Sequence, residues 1–224
     1  MTERRTDITG VLLAGGQSRR MFGGGERTSS PVSGDKGLLD IGGKPMLGHV
    51  IARLAPQVGR MVINANGDPG RFAQFGLPVV ADTIAGFAGP LAGVLAAMRW
   101  SAREAPDARF IATVSTDAPF LPGDLVARLA AAQRDQPGGI ALAQSGGALH
   151  PVIGLWPVAL ADDLEGALNQ GVRKVLAWTD RHGTIPVEFE SERFGTETVD
   201  PFFNANTPDE LAEARRLLAA RKHA

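Results

Sequence analysis

Four short apolar runs, at residues 8–13, 60–64, 78–82 and 110–114, alternate with segments of helical periodicity. Residues 46–54 place Met46, Leu47, Val50, Ile51 and Leu54 at helical spacing after Lys44-Pro45, with proline at the first helical position. Residues 69–75 form a short helix, and Gly89-Pro90 introduces another that continues through Val94, Leu95, Met98 and Trp100. Pro122-Gly123-Asp124 opens a fourth, with Leu125, Val126 and Leu129 on one face. Such alternation with short connections predicts an α/β fold in three layers, Rossmann-like, with a mostly parallel central sheet and helices on both faces. The run at 110–114 is almost continuously apolar and belongs near the centre of that sheet. Ligands of these sheets bind beyond the carboxyl ends of the strands. Gly15 and Gly16, Asn64, Asp82 and Asp117 all fall at those ends, on one rim.

Later segments are less regular. Residues 140–143 and 149–155 form an antiparallel hairpin around Ser145-Gly146-Gly147. Two helices, 159–170 and 173–180, break at Gly171, and residues 185–189 add a strand. Residues 38–41 and 202–206 are expected to be extended. Thr207-Pro208-Asp209-Glu210 opens a final helix, with threonine as N-cap and glutamate completing a capping box. No linker or repeat divides the chain, so 1–224 is expected to be a single domain.

A net charge of -1 gives no support for a nucleic-acid or anionic-membrane partner. The absence of cysteine excludes disulfides, thiolate metal sites and a cysteine nucleophile. The charged amino terminus lacks the apolar core of an export signal, and no apolar stretch is long enough to span a bilayer, so a cytoplasmic location is expected.

Chemistry concentrates on the rim. Glycines 15 and 16, just past a strand, leave backbone N–H groups open to an anion, and Arg19, Arg20 and Lys36 supply positive charge nearby. Asp117 suits a magnesium ion, which takes one or two carboxylates and completes its shell with phosphates and water; it would equally serve as a turn or cap aspartate before Pro119. Asn64 and Asp82 are candidates for base or ribose contacts, or turn formers. His150 is a general base, a substrate contact or a structural residue at a strand start. Arg173-Lys174 at a helix start oppose the helix dipole, which suggests an anion between them, or a solvated pair. Asn204 and Asn206 put two amides on one side of an extended segment, suited to a polar heterocycle or merely leading into the Thr207 cap. Neither G-x-x-x-x-G-K-[ST] nor G-x-G-x-x-G is present after the first strand, which disfavours P-loop enzymes and dinucleotide oxidoreductases.

Taken together, Thr9-Gly10-Val11-Leu12-Leu13-Ala14-Gly15-Gly16-x-Ser18-x-Arg20-Met21 and Asp35-Lys36-Gly37-Leu38-Leu39 resemble the pattern of the molybdenum cofactor guanylyltransferases. The similarity continues through Gly43-Lys44-Pro45, Asn64-Ala65-Asn66, Gly89-Pro90-Leu91-Ala92-Gly93, Asp117-x-Pro119, His150-Pro151, Arg173-x-Val175 and Asn204-x-Asn206-Thr207-Pro208-x-Glu210-Leu211, covering nearly the whole chain. The resemblance implies a nucleotidyltransferase that moves GMP from GTP to molybdopterin cofactor with Mg2+ and releases pyrophosphate. It implies that Leu13, Ala14, Gly15, Gly16, Lys36, Asn64, Asp82 and Asp117 bind the nucleotide, with Asp117 on the metal. Arg20, Lys36 and Asp117 would act in catalysis, and Arg20, Arg173, Asn204 and Asn206 would place substrate or the pterin. Residues to about 135 would serve GTP and 136–207 the molybdopterin side, with transient contacts to molybdenum-insertion and molybdoenzyme maturation proteins. One departure is a Gly/Ser/Pro-rich segment at 23–34, absent from the compact form of the family and expected to be a mobile loop or lid between Arg20 and Lys36. The rival readings are a relative using CTP or a sugar-phosphate acceptor, and a non-catalytic nucleotide-binding module.

Overall fold

A computed structural model describes residues 4–15, 35–84 and 89–221. Gly16, Arg19, Arg20 and the 23–34 segment lie outside the described residues, and with them the proposed lid.

The four early runs become β1 (Arg5–Leu13), β2 (Val58–Asn64), β3 (Val79–Val80) and β4 (Phe110–Ser115). With β5 (Ile140–Ser145), β6 (Ala148–Pro157) and β7 (Thr184–Glu188) they build a seven-stranded sheet in the order β3-β2-β1-β4-β6-β5-β7. β1 pairs in parallel with β2 and β4, and only β6 runs against its neighbours. The α/β expectation, a mostly parallel sheet with helices on both faces, is met.

Alternation along β1 separates the two faces. Ile8 and Leu12 pack with Leu47, Val50 and Leu54 of α1 (Met46–Leu54) and with Leu125, Val126 and Leu129 of α3 (Leu125–Asp135). Val11 points the other way, toward Leu91, Val94 and Leu95 of α2 (Pro90–Glu104) and the apolar sides of α4 (Ala161–Asn169) and α5 (Val175–Thr179). Trp156 and Trp178 stack within that second cluster, and the Trp156 indole N–H donates to Thr113 Oγ1 at 2.7 Å, so its polar atom is satisfied in the core. A third cluster joins Leu211, Ala214, Leu217 and Leu218 of α6 (Pro208–Arg221) to Ile41, Met46, Phe120 and Ala205. It draws the carboxyl-terminal segment onto the loop that follows Lys36.

Several local expectations are corrected. Residues 38–41 are extended only in part: Lys36–Leu38 is a 3-10 turn, Leu39 is extended, and Asp40 forms an isolated antiparallel bridge with Pro45, with Ile41 N–H donating to Lys44 C=O and Met46 N–H to Leu39 C=O, both at 2.9 Å. Pro45 occupies the N-cap position of α1 rather than its first turn. The third strand shrinks to two residues because Pro78 has no N–H to give and the Asp82 N–H donates to the Asn66 side chain at 2.9 Å. Residues 202–206 enter through a turn at Pro201-Phe202, where Asp200 Oδ1 accepts the Phe202 N–H at 2.7 Å. A small hairpin, β8 (Glu192–Phe194) with β9 (Glu197–Val199), lies outside the sequence expectations.

Candidate active site

The carboxyl rim of the sheet brings together residues far apart in sequence. Asp117 sits two residues past β4 and is 6% exposed. Its Oδ1 accepts from Ser115 Oγ, and its Oδ2 accepts from Lys36 Nζ at 2.5 Å. The same ammonium donates to Asn206 Oδ1, so partners 81 and 170 residues from Lys36 meet at one cation. Gly37 makes this approach feasible: a Cβ there would lie 3.0 Å from Thr116 Cβ, crowding the turn that carries Lys36 against the Asp117 loop.

Asn206 is fixed through its backbone. The capping box read from the sequence forms, with Glu210 N–H donating to Thr207 Oγ1 at 3.2 Å and Glu210 Oε2 accepting from Thr207 N–H at 3.0 Å. The same oxygen also accepts from Asn206 N–H at 2.7 Å. Ala205 N–H donates to the Asp117 carbonyl at 3.2 Å, tying the two loops directly.

A second polar group stands across β1. In register, Leu13 is flanked by Asn64 on β2 and Ser115 on β4, so both groups border the Leu13-Ala14-Gly15 segment at one level of the rim. Ala14 N–H donates to the Asn64 carbonyl at 2.8 Å. Asn64 Nδ2 donates to Asp82 Oδ1 at 2.9 Å and to Val80 C=O at 3.2 Å, while Asn66 Nδ2 donates to Asp82 Oδ2 at 2.8 Å. These bonds turn Asn64 Oδ1 toward Gly93 of α2, where an added Cβ would lie only 2.2 Å from it. Gly15 is also close by, with a Cβ position 3.9 Å from the same oxygen.

Asn204 Oδ1 is buried and has no hydrogen-bond partner among the described residues. Arg173 is not at a helix start. α5 begins at Val175, and Arg173 Nη1 donates to the Leu168 and Val172 carbonyls at 2.6 and 2.8 Å, closing the end of α4. Its backbone nevertheless lies near the start of α2, with its carbonyl 3.8 Å from a Cβ placed on Gly89.

His150, near the start of β6, borders the same rim because β6 runs antiparallel to β4. Its Nε2 is 2.7 Å from Ser145 Oγ, which donates to Asp200 Oδ2 and Oδ1 at 2.8 and 3.0 Å. Burial pushes this imidazole below its ordinary range, against the opposing pull of Asp200 and Glu188.

Ser115, Gly93, Arg71, Ser145 and Asp200 were not singled out from the sequence. Arg71 donates to the Asp35 carboxylate and to the Asn66 carbonyl, the latter at 2.7 Å, bracing the residue before Lys36 against the Asn64–Asn66 loop. The only available signals were proximity in sequence: Ser115 two before Asp117, and Gly93 within the quoted 89–93 motif.

No cluster of three or more metal-ligating side chains occurs among the described residues. The one buried carboxylate of the described residues, Asp117, is the group that could hold a magnesium ion completed by phosphates, and it could do so only once Lys36 gives up its Oδ2. Among the described residues no helix is long and apolar enough to cross a membrane. A cavity of about 620 Å³ opens at the opposite end of the sheet beside Arg5, Phe110 and Arg134, and contains none of the rim residues.

A family model described as the MobA-like NTP transferase domain matches residues 10–184. A molybdenum cofactor guanylyltransferase of Mesorhizobium japonicum is 48% identical over 215 residues, covering 96% of this chain and 97% of that one. One from a Bradyrhizobium strain is 51% identical over 215 residues, covering 96% and 94%. Among solved structures, molybdopterin-guanine dinucleotide biosynthesis protein A from Archaeoglobus fulgidus matches with a TM-score of 0.68 at 20% identity, covering 94% of this chain and 98% of that one. The structure of CMP:2-keto-3-deoxy-manno-octonic acid synthetase complexed with CTP shares the fold at a TM-score of 0.66 and 16% identity, covering 95% and 98%. The chain belongs to the molybdenum cofactor guanylyltransferase family.

Proposed function

We propose that this chain transfers GMP from GTP to the phosphate of molybdopterin and releases pyrophosphate. The observation that supports it most is the meeting of Lys36, Asp117 and Asn206 beside the Leu13-Ala14-Gly15 segment. In the reaction an oxygen of the molybdopterin phosphate forms a bond to the α-phosphorus of GTP. The bond from that phosphorus to the bridging oxygen breaks, and its electron pair leaves with pyrophosphate. The attacking phosphate is already ionised, so no base has to remove a proton, and positioning with charge neutralisation carries the rate.

Lys36 faces the phosphates and neutralises charge as pyrophosphate departs, with Arg20 assisting. In the free protein its ammonium is shared between Asp117 and Asn206, a pairing that phosphate binding would loosen. A magnesium ion held by Asp117 and the phosphates would supply further charge neutralisation on the triphosphate. Leu13, Ala14 and Gly15 form the wall of the nucleotide pocket, Gly16 binds the nucleotide with them, and Asn64 and Asp82 contact the nucleoside. Arg173, Asn204 and Asn206 serve the molybdopterin side. Residues to about 135 thus take GTP and residues 136–207 the pterin. Cytoplasmic location and transient contacts with molybdenum-insertion and molybdoenzyme maturation proteins belong to the same reading.

Asp117→Asn is nearly isosteric and keeps an acceptor for Ser115. It should lose magnesium-dependent GMP transfer while circular dichroism and the unfolding midpoint stay close to wild type. Wild-type turnover in this variant would remove Asp117 from the reaction.

A further inference from the structure

The Ser145–His150–Asp200 cluster fixes which nitrogen of the imidazole is left for a ligand. A carboxylate is acceptor-only, and Ser145 has a single proton, directed at both oxygens of Asp200. The 2.7 Å contact between Ser145 Oγ and His150 Nε2 is therefore made by the proton on Nε2. In the neutral ring this leaves Nδ1 with a lone pair. Among the described residues Nδ1 has no hydrogen-bond partner, and it is not one of their buried unpaired atoms, so it reaches solvent.

Its surroundings are those of the site. Thr113 Oγ1 donates to the Val152 carbonyl at 2.8 Å, which aligns β6 with β4 and puts His150 beyond that level, toward the Asp117 end. The imidazole packs on Phe202 with ring centroids 4.7 Å apart. From Phe202 the chain runs into Asn204, whose Oδ1 is a buried acceptor without a donor among the described residues, and then into Asn206 at Lys36. Asp200 anchors that segment through the Phe202 N–H. One acceptor on β6 thus packs against the segment that carries a second, buried one, and each calls for an N–H donor.

We propose that His150, held in its Nε2–H form by Ser145 and Asp200, is a specificity residue whose Nδ1 accepts a hydrogen bond from the N–H-rich edge of an aminopyrimidinone ring. Both substrates of the proposed reaction carry that edge, guanine and the pterin. The position of His150, against Phe202 on the segment that leads to Asn204 and across the sheet from Asn64, assigns it to the pterin. The inference rests on the transfer function proposed above and adds the residue that reads the acceptor.

The test uses the full chain with GTP, magnesium and molybdopterin, following KM for each substrate separately. In His150→Gln the side-chain amide occupies the Nε2 position and keeps the Ser145 bond but removes the Nδ1 acceptor. KM for molybdopterin should rise roughly tenfold, with KM for GTP, kcat and the thermal midpoint little changed. Ser145→Ala frees the tautomer and should give a smaller rise in the same constant. His150→Asn, which returns a polar atom to the Nδ1 position, should recover part of the loss. An unchanged molybdopterin KM in His150→Gln, or a rise in the GTP KM instead, overturns the assignment while leaving the transfer function standing. A wild-type chain that consumes no GTP with molybdopterin overturns both.

Discussion

Replacing Gly93 by alanine should impair nucleotide binding more than it impairs folding. The new methyl would stand 2.2 Å from Asn64 Oδ1 and 2.9 Å from Asn64 Cγ. The amide cannot swing aside freely, because Nδ2 is held by Asp82 Oδ1 and the Val80 carbonyl. Either that bond to Asp82 breaks or α2 shifts. Overpacking of this kind costs about 1–3 kcal/mol, while alanine in place of glycine within a helix returns about 1 kcal/mol. The net loss of stability is then no more than about 2 kcal/mol, which leaves the protein folded. Nucleotide binding has no such compensation: displacing Asn64 and Asp82 removes about 1–1.5 kcal/mol of hydrogen bonding, or roughly a tenfold weaker Kd for GTP. Gly166→Ala is the matched control, since its methyl on α4 meets nothing within 4 Å. It should gain up to about 1 kcal/mol and bind GTP as wild type does. Calorimetric GTP titration beside urea unfolding separates the two effects. A Gly93→Ala protein with wild-type GTP affinity would refute the placement of Asn64 in the nucleotide pocket.

Lys36→Ala should reduce kcat by two or more orders of magnitude, on the order of the loss of one preorganised charged donor, with a smaller change in GTP affinity; single-turnover transfer measures it. Thr207→Ala should lower stability by about 1 kcal/mol and the thermal midpoint by about 2–4 °C, and should raise kcat defects at saturating substrate because Asn206 shares the same cap. For His150 the folded pKa lies below the ordinary 6.5. As pH falls through that value the unfolded chain takes up the proton first, so stability is full above it and declines toward acid. Urea unfolding between neutral and mildly acidic pH should show a decline that is shallower in His150→Gln; an identical slope would remove His150 as its source.

Individual anchors were legible in the sequence and their meeting was not. Asp117 and Asn64 could be placed on the rim because each follows or ends an apolar run, and the alternation of such runs with helical segments put them in a covered sheet. The Thr207–Glu210 box was equally plain, since its chemistry is local. That Lys36 meets a residue 170 positions away depends on α6 packing over Ile41 and Met46, a long-range contact without local pattern. Arg173 was misplaced because the sequence suggested a helix beginning two residues early; its guanidinium instead satisfies the carbonyls at the end of α4. Of residues 38–41, expected to be extended, Leu38 ends a 3-10 turn, while Leu39 is extended and Asp40 pairs only with Pro45 in an isolated bridge. Ser145 and Asp200 carried no signal, being separated by 55 residues and joined only in the folded chain.

The central claim is tested most directly by measuring pyrophosphate release with each of the four ribonucleoside triphosphates, with and without molybdopterin, in the presence of magnesium. Release with GTP alone among the four, and only when molybdopterin is present, is the expected result, with the guanine dinucleotide recovered as product. Equal release with CTP, or GTP consumption that does not depend on molybdopterin, would contradict it.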